Sequence, residues 1–192
     1  MTRNLALPGT LLSLSLLLST PALGQEQAPD SDAPTIGDPI AYAESAGIPE
    51  IAADATILDA DGNVLREGSN EWTCMAVPQM PMCLDSQWMA FVSAHMSGDE
   101  EFEVTSVGLG YMLRGDAGAS NIDPYATGPT TDNEWVVTGP HLMLITPDPS
   151  ILAGIPTDPS GGGPYVMWPD TPFAHVMIPI EGNAVEMHQA GE

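Results

Sequence analysis

The sequence predicts a mainly β (α+β) fold: a compact antiparallel β-rich domain with one amphipathic helix and many Gly/Pro loops. Three observations carry that prediction. Nineteen glycines and nineteen prolines, about a fifth of the 192 residues, demand frequent turns and short elements. Most apolar segments are four to six residues long and bounded by turn residues, as strands are. Only one stretch carries its apolar residues at helical spacing.

Taken in order, Thr2-Arg3-Asn4, the apolar run from Leu11 to Leu18 and the small residues Ala22 and Gly24 form a signal-peptide pattern over 1–24. The run is too short to cross a bilayer, which needs about 20 apolar residues. The expectation is a secreted or periplasmic protein with no membrane insertion. Residues 25–50 hold Glu26, Asp30, Asp32, Asp38 and Glu44 among Pro29, Pro34 and Pro39, and read as an acidic flexible linker with room for one helical turn near Ala41–Ala46. A single β-rich domain is expected over 51–181, and a mobile tail over 182–192.

Within the domain, Thr56–Leu65 has β-rich flanks around Asp61-Gly62, a hairpin signal. Asp59, Asp61 and Asn63 alternate as calcium ligands do. The glycine, however, stands at position 4 instead of 6, and Asn70 occupies the place of the closing glutamate. Cys74 and Cys83 are the only cysteines, and in an exported chain an isolated pair forms a disulfide. Asp85 or Ser86 caps the one helix and Gly98 ends it. Leu84, Trp88, Phe91, Val92 and His95 share a face, with Met89 and Met96 beside it. Phe102–Leu113 then alternates, with Gly108, Gly110 and Met112 on one side; the glycines signal a bulge or a close backbone approach. After the polar loop Asp116–Tyr125, strands are expected at Trp135–Val137, His141–Ile145, Tyr165–Trp168 and Ala174–Ile180. Asp148-Pro149-Ser150 starts a short turn, and Gly161-Gly162-Gly163 is a loop without the strand–helix context of a phosphate site.

Charge limits the function. Twenty-six acidic residues against three arginines and no lysine give a formal net charge of -23. Such a chain cannot neutralise a phosphate backbone, so nucleic acid is excluded as a partner. Schiff-base and phosphate-loop lysine chemistry is excluded as well. Cations or neutral small molecules remain as ligands.

Several segments carry a resemblance. They are Trp72-Thr73-Cys74 with Pro81-Met82-Cys83, Gly110-Tyr111-Met112-Leu113, Ser120-Asn121-Ile122-Asp123-Pro124-Tyr125-Ala126 and Thr138-Gly139-Pro140-His141-Leu142-Met143. Gly163-Pro164-Tyr165-Val166-Met167-Trp168 and Pro172-Phe173-Ala174-His175 complete the set. Together they make the stretch from Trp72 to Pro179 resemble an uncharacterised family of exported bacterial proteins. The resemblance implies export and brings no activity with it.

Function must come from the residues. His141-Leu142-Met143 and His175-Val176-Met177 repeat one pattern, and in a strand residues i and i+2 share a face. If the two strands are neighbours, His141, Met143, His175 and Met177 form a cluster of imidazoles and thioethers, with Met112 as a fifth contributor. That donor set selects copper, in the Cu(I) state, over hard cations. Met75, Met80 and Met82 offer a second soft surface. The expectation is a small-ligand or metal-binding protein, with copper the first ion to test. The alternative is a hydrolase-type enzyme using His141 or His175 as general base, helped by Ser120, Asp123 and the rest of the Asp116–Tyr125 loop. Gly118-Ala119-Ser120-Asn121-Ile122 lacks the second glycine of a nucleophile elbow. A third possibility is that Trp72, Trp88, Trp135 and Trp168 line a ligand pocket, against their commoner place in a core.

Overall fold

The computed structural model describes residues 37–181 together with the backbone of 185–187. The expected signal segment, the first part of the acidic segment and most of the expected tail lie outside the described residues. In chain order the elements are α1 (Pro39–Glu44), α2 (Pro49–Ala52), β1 (Thr56–Asp59), β2 (Val64–Arg66), β3 (Thr73–Ala76), β4 (Met82–Leu84) and α3 (Ser86–Ser97). They continue with β5 (Gly108–Met112), β6 (Ala119–Ser120), β7 (Trp135–Thr138), β8 (His141–Ile145), β9 (Tyr165–Met167), β10 (His175–Pro179) and β11 (Val185–Met187), with two 3-10 turns between β8 and β9. The fold is mainly β, as the sequence predicts.

Eight strands form one sheet in the order β2-β1-β3-β4-β5-β8-β10-β9, and β11-β7-β6 form a smaller one. All pairs are antiparallel except β1 with β3. The β1–β2 hairpin closes as its sequence dictates. Asp59 Oδ1 accepts from the backbone of Asp61 and Asn63, and Gly62 takes the left-handed conformation at φ 82°. The strand expected over Phe102–Leu113 is confined to β5; the residues before it are held by Gln87, whose Oε1 accepts from Thr105 and Ser106.

Alternation along the strands gives the large sheet two apolar faces. On one, α1 and α2 cover Ile57, Cys74, Ala76 and Cys83, with Tyr42, Ala43, Ala52 and Ala55 completing the cluster. Cys74 and Cys83 stand directly opposite one another on β3 and β4 and form the disulfide. The segment expected as a linker to residue 50 is part of this packing from Pro39 onward. Asp38 caps α1, Pro39 opens it, and the small Ala43 and Ala46 are fully buried. Arg66 ties the region together by bonding Glu44 and the carbonyls of Ala52 and Ala55.

On the other face α3 lies over the sheet. Asp85 caps it by accepting from the backbone of Trp88, and Gly98 ends it in the left-handed conformation at φ 69°. Its Trp88, Phe91 and Ala94 join Leu84, Met112, Met143, Ile145, Tyr165, Met167, Phe173 and Met177 in the larger core cluster. The glycines of β5 make room here. A methyl group on Gly110 would stand 2.8 Å from Leu84 and 2.9 Å from Met143, and one on Gly108 would stand 2.8 Å from Ile145. In the expected tail, residues 185–187 pair with β7, which supplies that strand with a second partner.

Candidate functional site

The α3 face of the sheet is not filled. A cavity of about 460 Å³ remains between α3, the β3–β4 hairpin and the centre of the sheet. Eight methionines line it: Met75, Met80, Met82, Met96, Met112, Met143, Met167 and Met177. Trp88, Phe91, Trp168 and His175 supply its aromatic wall, and Asp116 is a polar group among them. The two methionine groups singled out in the sequence therefore face one space. Of the four tryptophans, Trp88 and Trp168 line it. Trp72 packs on Tyr111 on the far face, and Trp135 lies against Gly118.

The two His-Xaa-Met strands, β8 and β10, are neighbours, as the copper reading requires. Their register pairs Met143 directly with Met177. It pairs His141 with Pro179, and places His175 one residue past Val176, the partner of Leu144. The two methionines stand opposite one another, while the imidazoles start four residues apart along the strands, about 13 Å at the usual rise. Met112 is opposite His141, and Met167 is opposite His175.

Both imidazoles are set by the same local device. His141 Nδ1 lies 2.7 Å from the carbonyl of Gly139, and His175 Nδ1 lies 2.9 Å from that of Phe173, in each case two residues back. A carbonyl only accepts, so Nδ1 carries the proton and Nε2 keeps the lone pair. His175 stands in a ring of aromatic edges, with Trp168 at 4.9 Å, Trp88 at 5.3 Å and Phe91 at 5.7 Å between centroids. Burial drives its pKa down to about 4, so it is neutral at pH 7.

His141 is fully buried, and its Nε2 has no hydrogen-bond partner among the described residues. Asp116 Oδ2 is 4.0 Å away, beyond hydrogen-bond reach. The other oxygen, Asp116 Oδ1, accepts from the backbone of Gly118 at 2.9 Å and Thr138 at 3.0 Å. Burial raises the pKa of Asp116 and lowers that of His141, each opposed by the attraction of the other. Nearby, the Tyr165 hydroxyl meets Thr138 Oγ1 at 2.9 Å, and burial pushes its pKa well above the usual value.

The loop after β6 closes one side of the site. His95 Nε2 donates to the carbonyl of Pro124 at 2.8 Å, and its ring is sandwiched between Tyr125 at 5.2 Å and Trp168 at 5.3 Å, nearly parallel to both. The sequence places His95 at the edge of the core, and the structure gives it this tethering position. Trp168 adopts φ 55°, a costly backbone for a bulky residue. Its backbone N–H donates to Asn121 and its indole N–H to Ser120, which hold the ring over the cavity.

Of the residues offered for hydrolysis, Asp116 approaches His141, while Tyr125 stacks on His95 instead. Ser120 Oγ donates to the carbonyl of Asn133 at 2.6 Å and accepts from the backbone of Asp123 at 2.9 Å. Asp123 in turn accepts from the backbone of Tyr125 at 2.9 Å. These bonds build the loop, and among the described residues none joins Ser120 or Asp123 to His141 or His175. Nor, among the described residues, do any three His, Cys, Asp or Glu side chains gather as a metal site. Sequence reasoning did not single out Met167, which the alternation of β9 places on the wall. Comparison of the chain with protein-family models, curated proteins and solved structures gives no match.

Proposed function

We propose that this chain is an exported binding protein that takes a small, largely apolar molecule into the methionine-lined cavity. The observation that carries the reading is the cavity itself. At about 460 Å³ it is within the usual range of small-molecule sites. Methionine suits such a wall because its unbranched thioether repacks around different shapes. The leader-like start, the disulfide and the resemblance to exported proteins support placement outside the cytoplasm. The test is titration with N-phenyl-1-naphthylamine, a neutral fluorescent probe, into the wild-type protein and Ala119→Phe, whose added ring enters the space. A micromolar dissociation constant, weakened at least tenfold in the variant, supports the reading. No binding at 100 µM probe, or equal binding by the variant, removes it.

A second reading, Cu(I) binding, is favoured by the register of Met143 against Met177. Opposed residues of this kind hold their Cβ atoms about 5 Å apart, close enough for two thioethers to share one soft ion. Met112 flanks the pair, and the pre-set Nε2 of His175 offers a nitrogen donor at the cavity wall. Competition against a chromogenic Cu(I) chelator tests this. Retention of one Cu(I) at micromolar chelator affinity, lost in Met143→Leu/Met177→Leu, supports it, and absence of retention removes it.

A further inference from the structure

We propose that the ligand of the methionine-lined cavity is a phenol, an apolar aromatic body whose one hydroxyl donates to His175 Nε2. The inference rests on the small-ligand reading above and names the ligand's chemistry.

The first observation is an acceptor on the cavity wall with nothing to accept. His175 lines the cavity and is 2% exposed. Its Nδ1–H is committed to the Phe173 carbonyl, which leaves the lone pair on Nε2. No described residue hydrogen-bonds that nitrogen, yet, unlike Nε2 of His141, it is not wholly enclosed by the protein. A group in the cavity can therefore reach it. The other imidazole on the wall is already used, because His95 Nε2 bonds the Pro124 carbonyl.

The second is the charge of the lining. No lysine or arginine lines the cavity, and its charged side chains are Asp61 and Asp116. A carboxylate or phosphate would find like charge there and no counter-charge. His175 is itself neutral at pH 7. A ketone or an ether would set a lone pair against the lone pair of Nε2. An ammonium would bring three hydrogens and a charge to one neutral acceptor. A hydroxyl brings one hydrogen and no charge.

The third is what surrounds the acceptor. Trp88, Phe91 and Trp168, all on the cavity wall, stand at 83°, 84° and 78° to the imidazole. A ring bonded at Nε2 lies among aromatic groups and methionine sulfurs, and both make favourable contacts with aromatic rings. A phenol supplies that ring. Its O–H is more acidic than that of an aliphatic alcohol, so it is the stronger donor, and with a pKa of about 10 it remains un-ionised at pH 7.

The experiment compares 4-pentylphenol with 4-butylanisole, isomers of one formula of which only the phenol can donate. Affinities for the wild-type protein are measured by tryptophan fluorescence at pH 7.5. Nitrogen-15 spectra of histidine-labelled protein follow the acceptor nitrogen of His175, identified by its absence from His175→Asn. The expected result is phenol binding at least fivefold tighter than anisole binding, with the His175 Nε2 resonance moved upfield by the phenol alone. A preference below fivefold, or for the anisole, overturns the inference and leaves the cavity reading standing. So does tighter phenol binding that leaves the resonance in place, because the hydroxyl then donates elsewhere. Failure of both isomers while N-phenyl-1-naphthylamine binds overturns the inference alone. Failure of all three overturns the two together.

Discussion

Replacing His175 with asparagine should remove a large part of the protein's sensitivity to acid. The imidazole is 2% exposed, and burial holds its pKa near 4 in the folded chain against 6.5 for the free side chain. Between those values the unfolded chain takes up a proton that the folded one refuses. The resulting stability is therefore fully present above pH 6.5 and is lost as pH falls toward 4. The whole shift is worth on the order of 3 kcal/mol, and about 2 kcal/mol of it is lost between pH 7.5 and pH 5. Asparagine keeps an N–H for the Phe173 carbonyl and cannot titrate. Urea unfolding, followed by tryptophan fluorescence at pH 7.5, 6 and 5, measures the effect. The carboxylates titrate alike in both proteins, so the difference between the two pH slopes isolates the histidine. Wild type should lose about 2 kcal/mol more than His175→Asn over this range. Parallel slopes would refute the argument, because they would mean that His175 is protonated without cost and so is not in a dry site.

Replacing both Cys74 and Cys83 with alanine should lower stability by roughly 2–3 kcal/mol in urea unfolding, the value for freeing a loop of this length. Gly110→Ala should cost about 1–3 kcal/mol in the same assay, since the added methyl meets Leu84 at 2.8 Å and Met143 at 2.9 Å in a packed row. His95→Leu removes the bond to the Pro124 carbonyl and the stack between Tyr125 and Trp168. It should cost about 1–2 kcal/mol and raise amide hydrogen exchange at Ala126, whose N–H bonds within that loop, while exchange in β8 stays unchanged.

Much of the architecture is legible because it is local. Asp85 or Ser86 and Gly98 bound the helix in the sequence, with Asp85 the cap that forms, and β8 spans His141–Ile145 as its apolar run indicates. The glycines at 108 and 110 announce a close approach that the neighbouring Ile145, Leu84 and Met143 make real. The place of α1 is less legible. Acidic residues and prolines dominate its composition, and the packing signal is only Tyr42, Ala43 and Ala46, which matter because small side chains let the helix sit close to the disulfide-bearing face. The cavity is not legible at all from periodicity. Its walls come from α3, β3, β4, β5, β6, β8, β9, β10 and the β1–β2 turn, and no local pattern says that they leave space between them.

The repeated His-Xaa-Met segments show why a shared motif does not fix a shared site. Alternation correctly places each histidine on the same face as its methionine, but alternation carries no information about strand direction. Had β8 and β10 run parallel and in register, histidine would sit beside histidine and methionine beside methionine. They run antiparallel, centred on Met143 and Met177, so the pattern is reversed on the second strand and the imidazoles fall at opposite ends of a thioether pair. Each histidine then meets a different neighbourhood. His175 enters a ring of aromatic edges that keeps it neutral, while His141 enters the loop that carries Asp116. One short motif used twice thereby puts two thioethers and a single imidazole, that of His175, on the cavity wall and leaves the imidazole of His141 buried outside the lining.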